Sequence, residues 1–276
     1  MKAPAACESG RGIVSVERGH KSGPITRLID PDLLGRSLKP FVFLDHLDAV
    51  VSANFGFGMH PHSGIATLTY HLRGDVNYQD SSGKKGLLRA QGVEWMVSGA
   101  GVWHQGRIAE NGAIEGFQLW VALDPTLEEG DAHSMYIAPE DVAVNGNIRI
   151  LLGEWKGKVS KIPPPAAIDL LHVSLEAGES WVYPAHELRQ QAWAFAFSGQ
   201  ILVDEMPFSK RLVVFDSTAR NIRISAREAT QFIFAAAERH PYDLVVGAHS
   251  VHTSHAALER SEERIRELGA SLGMPR

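Results

Sequence analysis

Cysteine is nearly absent: Cys7 is the only one in 276 residues. No intrachain disulfide can form and no zinc-finger pair can be assembled, so a reducing, cytoplasmic setting is the expectation. No apolar run approaches the length needed to cross a bilayer, and the opening residues, Met1 to Cys7, lack an apolar signal core. An excess of positive charge is also missing. The net charge is −5, with 12 basic against 16 acidic groups in residues 1–140 and 15 against 16 in residues 141–276. Neither half offers a phosphate backbone an electrostatic footing, so neither nucleic acid nor membrane is an expected partner. The chain carries no Gly-x-x-x-x-Gly-Lys phosphate loop, no dinucleotide fingerprint and no serine in a nucleophile elbow.

What is present is turn punctuation: 26 Gly and 14 Pro divide short apolar or alternating runs. In the first half, Pro40–Asp45, Ile65–Leu72, Val93–Val97 and Gly116–Leu123 read as strands. That cadence favours a β-barrel or sandwich over a parallel α/β sheet. Asp124-Pro125 closes this set, and Lys161-Ile162-Pro163-Pro164-Pro165 forms a stiff extended stretch. The pattern then restarts with Asp169–Leu175, Trp181–Pro184, Ala192–Phe197, Ile201–Val203 and Gln231–Phe234. Two copies of one barrel are expected, over residues 1–135 and 136–276. Ser254 to Leu268 departs from the β pattern, with Leu258, Ile265 and Leu268 on one helical face. A short amphipathic helix closing the second unit is expected, capped by Ser254 and stopped at Gly269.

Histidine carries the chemistry. His60-Pro61-His62 leads into the Ile65 strand, and His104 closes the glycine-rich turn Ser98-Gly99-Ala100-Gly101-Val102-Trp103. Residues two apart in an extended chain point the same way, so His60 and His62 can aim both imidazoles at one point. Pro61 favours an extended backbone before it. Imidazole suits iron, zinc, copper and nickel, and three such donors leave open positions for water, oxygen or substrate. Trp103, Gln105, Leu68 and Tyr70 are the expected pocket lining around the three rings. The other histidines offer no comparable set. His186 has Pro and Leu at its i−2 and i+2 positions, His249, His252 and His255 are spaced by three in a loop, and His20 and His46 read as surface or turn residues. Asp169, Glu176 and Glu179 read as solvated turn residues, and no residue is assigned as catalytic.

Residues 37–123 resemble the pirin family of the cupin superfamily. The stretches that carry the resemblance are Leu38–Asp45, His60-Pro61-His62-Ser63-Gly64 with Thr67–Tyr70, the Asp80-Ser81 turn, Glu94–His104 and Gly116–Trp120. The resemblance implies an all-β bicupin of two jelly-roll barrels, with a metal held only in the first. It implies three histidines and one glutamate around iron, with zinc, nickel, copper or manganese also compatible. The family's reported roles are quercetin 2,3-dioxygenase activity on a small aromatic substrate and, alternatively, regulatory interaction with a protein partner, the metal then being structural or absent. The sequence departs from the family at the carboxylate. The position two residues beyond the last histidine is Gly106, and the position four beyond His62 is Ala66. Gln105 is one residue out of phase and could serve only through a bulge. Loss of the carboxylate weakens the hold on a 2+ ion, so the metal itself is in question. It also removes the group expected to deprotonate a substrate hydroxyl, with Glu94 a distant substitute.

Overall fold

Short runs of β-branched and aromatic residues between glycine turns give antiparallel strands throughout the computed structural model, which describes residues 10–53 and 55–274. Cys7 lies outside the described residues. The chain divides into two units, each a seven-stranded sheet facing a four-stranded one. This is the bicupin architecture expected from the sequence. Among the described residues, no helix is long and apolar enough to cross a membrane.

The histidine-bearing unit comprises residues 19–143 and 240–276. Its large sheet runs in the order His133–Ile137, Val93–Val97, Ile65–Arg73, Gly112–Ala122, Phe41–Val51, Ile25–Ile29, His20–Ser22. The smaller sheet runs Gly56–His62, Val102–Ile108, Val76–Asp80, Lys85–Leu88. Pro61 sits in the edge strand of this smaller sheet, where a missing amide hydrogen costs least. Gly64 then turns the chain into the large sheet with φ +71°; a Cβ there would stand 2.1 Å from the Val251 carbonyl oxygen.

The other unit comprises residues 144–239 with the described N-terminal stretch 10–18. Its large sheet is ordered Ile13–Glu17, Leu212–Phe215, Gln191–Ser198, Thr230–Ala237, Ile168–Leu175, Ile148–Leu152, Ala143–Asn145. Aromatic rings fill its interior: Trp181 lies 4.9 Å from Phe234 and 5.7 Å from Phe232, and Tyr183 lies 4.7 Å from Phe234.

These boundaries correct the expected division at 135/136. The termini are exchanged: strand Ile13–Glu17 pairs with Leu212–Phe215, and residues 240–274 join the first barrel. The C-terminal helix, His255–Ser271, therefore packs on the histidine-bearing unit. Ser254 caps it as expected, accepting from the Ala257 amide. Gly269 does not stop it. The indole of Trp103 covers that position, where a Cβ would come within 2.7 Å of the ring, so glycine here is a packing choice inside a continuing helix.

Two further readings are corrected. His46 is buried, its Nε2 3.2 Å from Glu115 and its ring stacked on Phe117, because Phe41–Val51 runs several residues longer than the apolar run suggested. Asp169 is also buried, since strand Ile168–Leu175 has both faces covered. It accepts from Arg189 Nε at 2.8 Å and from the Tyr183 hydroxyl at 2.6 Å. Removing one member of a buried pair strands the other's charge, so Asp169→Ala should lower unfolding free energy by about 3–5 kcal/mol. Urea unfolding measures this, and an unchanged midpoint would show that Arg189 finds another partner.

Candidate metal centre

His60, His62 and His104 converge. His60 and His104 are direct cross-strand partners, and His62 stands two residues along from His60 on the same face. Their ring centroids lie 4.5–5.0 Å apart, and each ring offers one nitrogen within 4.8 Å of the others. His60 Nε2 and His104 Nε2 are 3.1 Å apart. That edge fits two nitrogens each about 2.0–2.1 Å from one ion.

Two of the opposite nitrogens are hydrogen-bonded elsewhere, and the third faces a carboxylate. His60 Nδ1 donates to the Gly58 carbonyl at 2.7 Å, and His62 Nδ1 donates to the His249 carbonyl at 2.9 Å. His104 Nδ1 stands 3.8 Å from the Glu94 carboxylate. A ring carrying its proton on Nδ1 leaves Nε2 bare, so His60 and His62 point lone pairs at the place where His104 Nε2 also lies. Such an arrangement is repulsive until a cation or a shared proton occupies it. The donor set therefore fits a metal, on the molecule's own geometry.

Burial favours the neutral form of His60 and His62. It pushes His60 down to about 4, with the neighbouring His104 adding to the effect. Burial, then His104 and His60, hold His62 well below the ordinary histidine range. Glu94 is fully buried, which alone would push its pKa up. Hydrogen bonding and charge from His104, together with Thr69, outweigh this and hold its carboxyl below the ordinary range.

The three rings open into a cavity of about 800 Å³. Its apolar wall includes Phe43, Phe117, Trp120 and Ile114, with Phe43 and Trp120 stacked at 4.1 Å. Thr69, His71, Glu94 and Gln118 supply polar groups, and Arg27, paired with Asp45 at 2.6 Å, lies over the Phe43 ring.

Of the expected pocket residues, three lie elsewhere. Trp103 faces away from the cavity and donates from Nε1 to the Ile265 carbonyl of the C-terminal helix, because it alternates with His104 along its strand. Leu68 and Tyr70 are buried on the opposite sheet face from Thr69 and His71. Gln105 reaches the cavity lining, but its amide donates to Gln79 Oε1 at 3.1 Å. The bulge that might have reoriented it falls instead on the partner strand: His104 pairs with His60 and Gly106 with Phe57, so three steps along one strand meet two along the other. Gly106 is the inward position, where a Cβ would touch only Val76 Cγ1 at 3.3 Å.

Sequence reasoning named Glu94 only as a distant base, did not consider His71 and set His249 aside as a loop residue. The first two had a signal. Thr67, Thr69 and His71 form a polar stripe that alternates with the apolar Ala66, Leu68 and Tyr70, and Glu94 pairs with Thr69 across the sheet. In a strand buried on both faces, the polar stripe marks the cavity side. His249 had none, because the hydrogen bond that ties it to His62 spans 187 residues.

Fold and site together define a bicupin with an inward-facing histidine triad in one barrel. Residues 22–121 match the Pirin family model. A pirin-like protein of Caulobacter vibrioides is 32% identical over 183 residues, covering 61% of this chain and 63% of that protein. The match therefore spans less than two thirds of that relative's length. A crystal structure described as quercetin 2,3-dioxygenase from Acinetobacter baumannii superposes with a TM-score of 0.86 at 21% identity, over 95% of this chain and 98% of that one. The bacterial pirin YhhW of Escherichia coli, in complex with nickel(II), gives a TM-score of 0.65 at 21% identity, covering 83% and 96%. Residues 22–121, the stretch that carries all three histidines, are thus similar to the pirin family.

The neutral buried histidines carry a sign for pH dependence. His60 and His71 take up protons only near about 4 when folded, whereas an unfolded histidine does so near about 6.5. Their stabilising contribution is complete above about pH 6.5 and is lost as pH falls toward about 4. Urea midpoints of metal-free protein should descend between about pH 7 and about pH 4.5, and a flat profile would exclude neutral buried rings.

Proposed function

We propose that this chain is a metal-dependent dioxygenase of the pirin type, acting in the cytoplasm on a flavonol-like aromatic substrate with iron as its metal. The observation that carries this reading is the set of three converging imidazole nitrogens in an aromatic-walled cavity of about 800 Å³. His60, His62 and His104 would hold the ion, and a redox-active metal would supply the electronic link between an aromatic hydroxylate and dioxygen. The names of the Acinetobacter and Escherichia structures support the reading in kind, one for the reaction and one for metal binding.

The remaining work falls to this chain's own residues. Phe43, Phe117 and Trp120 offer flat faces to an aromatic ligand and exclude water from it. Glu94 stands behind His104 Nδ1 and keeps that ring's proton on the far side. Its negative charge partly offsets that of a bound cation, a service the family's ligand carboxylate renders directly. Gly106 has no group to accept a proton from a substrate hydroxyl, and Glu94 is already committed to His104 and Thr69. The substrate must therefore arrive ionised or nearly so.

Oxygen uptake by iron-loaded protein with quercetin should exceed that of free iron and rise with pH as the flavonol hydroxyl ionises. Gly106→Glu, which has room to enter the cavity apart from Val76, should move that rise to lower pH by supplying a base. Uptake no greater than free iron's, in both proteins, would retire the catalytic reading. A pirin-type interaction protein with a structural metal would then be the better account.

A further inference from the structure

We infer that His249 is the fourth protein ligand of this centre, supplying the donor that Gly106 does not. The inference rests on the triad holding a metal and names the residue that completes it.

His249 sits on the turn joining Val245–Val246 to Val251–His252, closed by the Gly247 amide donating to the Ser250 carbonyl at 2.8 Å. This turn is pinned against the ligand strand. The His249 carbonyl accepts from His62 Nδ1, and the hydroxyls of Ser63 and Ser250 meet at 2.8 Å. The backbone of His249 is thus fixed directly behind one ligand, while its side chain lines the same cavity as the triad. Its ring centroid lies 6.5 Å from His60 and 6.4 Å from His62. The triad's own centroids are 4.5–5.0 Å apart, so the ring must close by about 1.5–2 Å. His249 is exposed, so little packing opposes the side-chain rotation that the inference requires.

The chemistry favours the assignment. Three neutral imidazoles alone leave a 2+ ion short of donors, and position 106, the inward place for a fourth, carries only hydrogen. A fourth imidazole restores the donor count without adding charge. The set then suits borderline ions that accept nitrogen, such as nickel(II), copper(II), zinc(II) and iron(II). Glu94 keeps its place behind His104 and supplies the compensating charge from outside the ligand set.

His249→Ala removes the ring and leaves the carbonyl that receives His62 Nδ1, so the triad's orientation is retained. Purified full-length protein is loaded with one equivalent of copper(II), and pulsed electron paramagnetic resonance counts the coordinated imidazoles. Four are expected in the wild type and three in His249→Ala, with affinity for nickel(II) falling at least about tenfold. His249→Gln, which keeps much of the side chain's bulk, should behave like His249→Ala and serves if the alanine protein folds poorly. Three imidazoles in every variant with equal nickel affinity would overturn the inference while leaving the triad in place. A wild type that binds neither ion, or His60→Ala binding both as well as wild type, would overturn the triad itself.

Discussion

Three imidazoles can share a point only if each is told where to keep its proton. In this barrel the instruction comes from the Gly58 carbonyl, the His249 carbonyl and the Glu94 carboxylate, one behind each ring. A change of tautomer at any of them would turn an N–H toward the centre and close it to a cation. Burial reinforces the choice at His60 and His62 by making the charged form of those rings costly. The cavity, its aromatic wall and the glycine at position 106 gain chemical meaning only because these Nδ1 protons are held outward.

The two units show how one architecture serves opposite ends. Both pair a seven-stranded with a four-stranded sheet. In one, Trp181, Tyr183, Phe232 and Phe234 occupy the interior, and the Asp169–Arg189 pair is closed by a tyrosine hydroxyl. In the other, threonine, histidine and glutamate on the inward positions line a cavity. Large aromatic side chains make a core, and small polar ones make a chamber. The difference is set by side chains on the inward-facing positions, with no change of strand order.

Much of this was legible in the chain. The turn cadence showed a repeated β-barrel, and the His60, His62 and His104 spacing showed one inward face, because strand periodicity is a local property. Parity was harder. Leu68 and Tyr70 look like pocket lining because they are large and apolar, yet the strand is buried on both faces, so hydrophobicity does not say which one meets the cavity. Thr69 and His71 said so by their polarity. Trp103 was misplaced for the same reason, one residue from a ligand and therefore on the other side. Domain limits and the partners of His62 were beyond reach, since they depend on strand Ile13–Glu17 and residues 240–274 crossing to the other unit's sequence range.

That crossing sets a schedule for biosynthesis. A ribosome delivers the ligand histidines within the first 104 residues, yet the carbonyl that fixes His62 and the helix that covers Trp103 emerge only after residue 240. Between those moments the proton on His62 has no carbonyl to hold it on Nδ1. The centre is therefore finished late, when the tail of the polypeptide returns to the barrel that was begun first.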